Sequence, residues 1–156
     1  MEKRLLLWMG MMLLLMFGPT SCNNDDDLSA EEATIKEYKA KLIGSWHLVR
    51  LMDGWGNATD YTPGEVTFSF AKDGELIIVN TREDQYPFRS QTASYSLITI
   101  DFSIYTHEPK TALSLSMYSS LPYIMDFNGD LLYLSPNAFD CEGYTLQRTT
   151  AVSSNE

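Results

Sequence analysis

The chain has 156 residues, of which 44% are hydrophobic and 21% are charged, and its formal net charge at pH 7 is −10. This length allows one domain with a substantial core but is too short for two domains of ordinary size. The acidic excess repels phosphate backbones and anionic headgroups, which argues against nucleic acid as a partner.

The first 21 residues are organised like a signal peptide. Lys3 and Arg4 precede an apolar run at 5–17. That run suits a signal-peptide core and is shorter than the roughly 20 residues that span a bilayer as a helix. Removing this leader, whose net charge is +1, leaves 135 residues and takes the net charge from −10 to −11.

A cysteine and a run of aspartates follow the leader. Thr20 and Ser21 precede Cys22, and three aspartates occupy 25–27. The cysteine segment resembles the lipobox of bacterial lipoproteins, although Pro19 stands where that family usually has an aliphatic residue. The aspartates resemble a surface-export tag of some Gram-negative bacteria. The resemblance implies that Cys22 is acylated, for example with palmitate, and anchors the mature chain in the outer membrane, facing the exterior.

Each of these two features has a plainer alternative. The leader could be an ordinary signal peptide followed by a coincidental cysteine, and the aspartates could be a solvated acidic linker. In either case 22–28 is predicted to be a tether between the leader and the folded domain.

A helix is predicted directly after the tether, over 30–42. Ser29 with Glu32 three positions later has the spacing of a capping box. Gly44 is expected to end the helix. Three hydrophobic residues recur at helical spacing and give the helix one narrow apolar face: Ile35, Tyr38 and Leu42.

From residue 45 onward the hydrophobic period is that of strands. The predicted strands are 46–52, 65–70, 75–80, 93–104 in two phases, 113–117, 121–127, 131–135 and 143–149. The apolar run at 76–79 predicts a strand buried on both faces. A one-residue change of phase near Leu97 predicts a bulge or tight turn. Asn128 and Gly129 predict a hairpin turn.

These elements predict an all-β fold, because no helices interleave the strands. Closing the strands into an up-and-down barrel of about eight strands removes the open sheet edges, and a sandwich is the alternative. The predicted domain covers 29–150, and 151–156 form a C-terminal tail.

Motifs at both ends of this domain resemble the small lipocalin-like domains of the calycin group. Gly44, Ser45 and Trp46 open the first strand, and Arg148 lies on the last. In that family a Gly-x-Trp follows a short helix, and an arginine of the final strand covers the tryptophan and closes one barrel end. The resemblance, over about 42–148, implies a Trp46–Arg148 pair and a fold more than a function.

We predict no enzymatic activity, no metal and no cofactor. His47 and the pair His107 and Glu108 lack other ligands nearby in sequence. Segment 126–130 differs from a calcium loop because its glycine is the fourth residue rather than the sixth. Cys141 is predicted to be a reduced, small core residue.

Four residues are candidates for contacting a ligand: Arg50, Trp55, Tyr95 and Tyr123. Trp55 lies between two glycines, so it either stacks on a ligand at the barrel mouth or folds back as a lid on the core. Arg50 points into the lumen if the first strand is regular, and outward if that strand contains a bulge.

Two functional hypotheses follow from this fold. An open lumen lined by such residues would bind a small apolar or glycan ligand. A lumen filled by its own side chains, together with an exposed surface patch, would instead indicate a structural or protein-interaction lipoprotein.

Overall fold

The computed structural model describes residues 29–117 and 121–149. The leader, Cys22, the acidic tether and the C-terminal tail lie outside these ranges. Within them the elements are α1 Ala30–Leu42, β1 Gly44–Met52, β2 Ala58–Asp60, β3 Val66–Phe70, β4 Glu75–Asn80, β5 Gln91–Ile100, β6 Lys110–Leu115, β7 Tyr123–Asn128, β8 Leu131–Pro136 and β9 Gly143–Arg148. None of the described helical segments is long and apolar enough to cross a membrane.

The strands form a closed antiparallel barrel. From β3 to β9 each strand pairs with the next, and β1 pairs with both β3 and β9. The short strand β2 is an addition that pairs with the last residues of β1. The predicted all-β barrel of about eight strands after one helix is therefore confirmed, and the sandwich alternative is wrong.

Helix α1 begins with a capping box. The hydroxyl of Ser29 accepts a hydrogen bond from the backbone N–H of Glu32 at 3.2 Å, and the Glu32 carboxylate accepts one from the Ser29 N–H at 2.9 Å. The bond from the Ser29 backbone is the main cause that lowers the pKa of Glu32. The apolar face points to the barrel, where Leu42 is fully buried and the Tyr38 ring meets Phe127 edge-on at 5.7 Å.

The side chains of strand β4 alternate between buried and exposed, although the sequence predicts burial on both faces. Leu76 and Ile78 are buried, whereas Ile77 and Val79 are 41% and 49% exposed. That prediction was wrong because no second layer covers the outer wall of the barrel at β4, so its outward side chains meet solvent.

Strand β5 contains no bulge near Leu97, contrary to the sequence prediction. Its pairing with β6 is continuous from Tyr95 to Ile100. Tyr95 and Leu97 lie on the inward face of the strand, so alternation turns Ile98 outward. The change in the hydrophobic pattern of the sequence therefore reflects a hydrophobic residue on the outer face. Ile98 retains 36% exposure there.

The turn between β7 and β8 lies one residue later than predicted. Asn128 pairs with Leu131, so the two loop residues are Gly129 and Asp130. Gly129 has a φ of +60°, and a positive φ at the first loop residue is what a type II′ turn requires.

One end of the barrel, here called the helix end, is closed by Trp46, Arg148 and the last turn of α1. Trp46 is fully buried, and its indole N–H donates to the Leu42 carbonyl at 2.8 Å. The Arg148 guanidinium lies 4.2 Å from the Trp46 ring centroid. Arg148 also donates to the carbonyls of Lys41 and Ile43. It therefore connects β1, β9 and α1 at one point.

Gly44 makes this contact possible. Its φ is +125°, and an added Cβ would lie 3.1 Å from a guanidinium nitrogen of Arg148. A side chain at residue 44 would therefore be strained and would crowd the arginine.

We expect the stack of Arg148 on Trp46 to stabilise the fold. Trp46→Ala should lower the free energy of unfolding by about 3–5 kcal/mol as a large core truncation. Arg148→Lys should also destabilise, because an ammonium cannot both stack and donate to two carbonyls. Urea unfolding of both single variants and the double variant gives the coupling, for which a cation–π pair predicts about 0.5–2 kcal/mol.

Arg89→Lys is the matched control, because Arg89 is exposed. It should unfold like the wild type. Additive effects of the Trp46 and Arg148 substitutions would contradict the proposed stack.

Candidate functional site

The barrel end opposite the helix end, here called the mouth, is formed by the loops 53–57, 81–90 and 137–142. The first and third loops touch, since an added Cβ at Gly54 would lie 2.3 Å from the Asp140 carbonyl oxygen. The second and third loops are joined by the Tyr86 hydroxyl, which donates to the Glu142 carboxylate at 2.7 Å. The three loops therefore form one continuous surface.

Phe88 closes the lumen at the mouth. It belongs to the loop 81–90 but is only 2% exposed. Its ring lies 5.0 Å from that of Phe68, edge to face, and 4.9 Å from that of Tyr144. The loop thus inserts an aromatic ring between inward-facing side chains of β3 and β9.

Asn80 holds this loop in place. It is 4% exposed, and its side-chain amide donates to the Phe88 carbonyl at 2.6 Å. Its side-chain oxygen accepts from the Arg82 N–H at 2.9 Å, and its backbone N–H donates to the Ser90 hydroxyl at 2.9 Å. A buried amide with these partners is satisfied, and it fixes where Phe88 enters the barrel.

The lumen is filled by the protein's own side chains. The buried hydrophobic residues form a single cluster, and each is at most 7% exposed. A cavity large enough for a ligand would leave much more accessible area on the side chains around it. Tyr95 and Tyr123, two of the predicted ligand contacts, are 7% and 4% exposed and pack in this cluster. The Tyr95 hydroxyl donates to the Ala71 carbonyl.

Arg50 does not point into the lumen. The register of β1 against β9 shifts between Leu48 and Arg50, which reverses the alternation, and Leu51 takes the inward position. Arg50 is exposed on the outer wall and forms an ion pair with Asp60 at 2.6 Å. Its candidacy as a lumen residue was therefore wrong, and the bulge alternative is correct.

Trp55 is 87% exposed, so of its two alternatives the one in which it folds back as a lid on the core was wrong. The carboxylate of Asp53 accepts hydrogen bonds from the backbone N–H groups of Trp55 and Asn57, which shapes the loop. These bonds, above all those from Asn57, lower the pKa of Asp53. Gly54 of the same loop packs closely against the backbone of Asp140.

Two other aromatic residues are exposed on the same end of the barrel. Phe139 is 76% exposed and Tyr86 is 46% exposed. Together with Trp55 they are here called the aromatic mouth surface. Each comes from a different one of the three touching loops, so the surface is set by tertiary contacts.

Charged groups surround this surface. The bond from Tyr86 to Glu142 raises the pKa of the tyrosine to about 12. Arg82 packs over the Tyr61 ring at 5.2 Å, and its hydrogen bond lowers the pKa of Asp84 to about 2. Of the aromatic mouth surface, Tyr86 is therefore joined to a charged partner on a neighbouring loop.

The other candidate residues do not gather into a chemical site. No group of three His, Cys, Asp or Glu residues within 29–117 and 121–149 could hold a metal ion. His47 lies between the hydroxyls of Thr67 and Thr149. The ring of His107 lies 5.3 Å from that of Phe102. Cys141 is half-buried in a mouth loop, outside the core where it was predicted, and is not in a disulfide with any described residue.

No protein-family model matches this chain, and no curated protein matches it significantly. The proposed function is therefore based on the geometry of the mouth and of the barrel wall.

Four residues of the mouth were not predicted from the sequence: Phe88, Asn80, Phe139 and Glu142. The only local signal for Phe88 is that it is an aromatic residue in a polar loop, directly after Tyr86 and Pro87. The signal for Asn80 is a polar residue in an inward position at the end of an apolar strand.

Phe88→Ala should open the lumen at the mouth. We expect it to lose about 3–5 kcal/mol of unfolding free energy and to leave an apolar cavity that binds benzene. Phe139→Ala is the matched control, because that ring is exposed, and it should change neither property. Benzene should raise the melting temperature of the Phe88 variant but not of the wild type or the control. An equal rise in all three would show that the wild-type lumen is already open.

Proposed function

We propose that this protein is a lipid-anchored lipoprotein of the outer membrane that binds a protein partner through the aromatic mouth surface. In this account Cys22 carries the lipid, the barrel is a rigid support, and its lumen holds no ligand. The protein has no catalytic role.

The filled lumen is the observation that supports this proposal most strongly. Side chains from the strands and Phe88 leave no room for a ligand inside the barrel, which argues against the first of the two hypotheses. Contiguous exposed apolar patches mark interaction sites, and Trp and Tyr are enriched among the residues that dominate the energetics of protein interfaces. Trp55 and Phe139 retain 87% and 76% exposure.

The arrangement of the two barrel ends fits an anchored protein. The segment that follows Cys22 joins the domain at Ser29, before helix α1, which packs at the helix end. The mouth is at the opposite end. An anchor at Cys22 would therefore direct the aromatic mouth surface away from the membrane, towards a partner.

Acylation can be tested on the protein recovered from membranes. Mass spectrometry should show a mature chain that begins at a lipid-modified Cys22. Cys22→Ala should accumulate as the unprocessed precursor. An unmodified Cys22, or a chain that retains residue 1, would refute the anchor.

Exposure on the cell surface can be tested separately. Replacing Asp25, Asp26 and Asp27 with alanine should protect the domain from protease added to whole cells, because the export signal is lost. Replacing the same residues with glutamate keeps the charge and separates an effect of acidity from one of the aspartates themselves. Unchanged digestion of the alanine variant would contradict the export role.

The partner surface can be tested by photocrosslinking in cells. A photoreactive phenylalanine analogue at position 55 or 139 should form an adduct with the same protein. The analogue at position 72 is the control, because Lys72 is exposed in the turn between β3 and β4, at the helix end of the barrel. Equal adducts at position 72, or none at 55 and 139, would contradict a binding role for the mouth.

A further inference from the structure

The aromatic mouth surface lies among acidic side chains. The three mouth loops together carry five carboxylates and two guanidinium groups. The first and third loops, which contain Trp55 and Phe139, have three of these carboxylates and no lysine, arginine or histidine. The three are those of Asp53, Asp140 and Glu142. The two most exposed rings of the surface therefore belong to loops whose side-chain charges are all negative.

The contact between the first and third loops brings rings and carboxylates together. The backbone at Gly54 lies against that of Asp140, where an added Cβ would come within 2.3 Å of the carbonyl oxygen. Trp55 follows Gly54 in the chain and Phe139 precedes Asp140, so both rings are attached beside this contact. A partner that covers the two rings therefore also covers the Asp140 carboxylate.

Two of the mouth carboxylates have no partner of their own. Within 29–117 and 121–149 the side chains of Glu83 and Asp140 form neither a hydrogen bond nor an ion pair, and both residues are exposed. Of the two arginines in the mouth loops, Arg82 is already bound to Asp84, at 2.8 and 3.1 Å. Unpaired negative charge therefore exceeds unpaired positive charge at the mouth.

Two further carboxylates are held in fixed positions. The oxygens of Glu142 accept hydrogen bonds from Tyr86 at 2.7 Å and from Tyr144 at 3.0 Å. Bonds from Asn57 are the main cause that lowers the pKa of Asp53, so this carboxylate is ionised at neutral pH. A partner at the mouth must therefore replace the water around preorganised negative charges.

This combination of rings and carboxylates selects the charge of the partner. A neutral apolar surface would deprive the carboxylates of water without supplying a hydrogen-bond donor, which is unfavourable. An acidic surface would in addition be repelled. A lysine or arginine side chain suits both features, because a cation pairs with a carboxylate and also binds the face of an aromatic ring.

We propose that the partner of the mouth is a protein with a basic segment, whose lysine or arginine side chains contact Trp55 and Phe139 and pair with the carboxylates around them. This inference rests on the proposed function, since it names the chemistry of the partner that the aromatic mouth surface binds. A second copy of this chain does not fit, mouth to mouth, because it would bring the same acidic loops to the contact.

Photocrosslinking in cells with a charge-neutralised mouth tests this proposal. The full chain carries the photoreactive analogue at position 55 together with Asp140→Asn and Glu83→Gln. We expect the yield of adduct, normalised to the amount of the protein, to be at least about threefold lower than with the analogue alone, as the loss of two exposed ion pairs predicts.

Asp130→Asn with Glu75→Gln is the matched control, since it changes the net charge equally. Both residues are exposed near the helix end, Asp130 in the turn beside Arg148 and Glu75 at the start of β4. This control should leave the yield unchanged. An equal fall in the two double variants, or no fall at the mouth, would overturn the proposal.

The captured segment provides the second readout. The adduct is digested with a protease that cleaves after glutamate, so that fragments do not end in lysine or arginine by construction. We expect the fragment joined to position 55 to carry a net positive charge. A neutral or acidic fragment, or an adduct between two copies of this chain, would overturn the proposal. The absence of any adduct at 55 and 139 would instead overturn the proposed function, and this inference with it.

Discussion

Closure of both barrel ends is the constraint on which the rest of the structure depends. At the helix end a single arginine, Arg148, covers Trp46 and donates to two carbonyls of the α1 terminus. This contact joins the last strand to the first, where the barrel must close, and positions the helix at the same time. Gly44 leaves the space that the guanidinium occupies.

The mouth is closed by a loop rather than by a helix, and this closure determines whether a ligand can enter the barrel. Asn80, a polar residue in an inward position, holds a loop so that Phe88 enters the lumen. With both ends closed and tyrosines packed between them, the barrel interior is the hydrophobic core. The recognition that we propose therefore takes place on the outside, at the aromatic mouth surface.

Local periodicity was sufficient to predict helix α1 and most strands, because those features depend on alternation along the chain. Closure of the sheet was predicted from the need to avoid open edges, with a sandwich as the alternative. The orientation of Arg50 could not be predicted, since it depends on a register shift against β9 that leaves no mark in the alternation. The inward position of Phe88 depends on hydrogen bonds from Asn80, eight residues away, and loops have no period to reveal such contacts. The path of the Trp55 loop depends in part on its contact with Asp140, which is distant in sequence and has no local signal.

Xenon binding to crystals of the wild-type mature chain tests the central claim, that the barrel is filled, most directly. Xenon enters apolar cavities that water leaves empty and marks them with strong electron density. We expect no xenon atom between the inward-facing side chains of the strands, including the region around Phe68, Phe88 and Tyr95. An ordered xenon atom inside the barrel would show an open lumen, and would return the search for function to a ligand bound there.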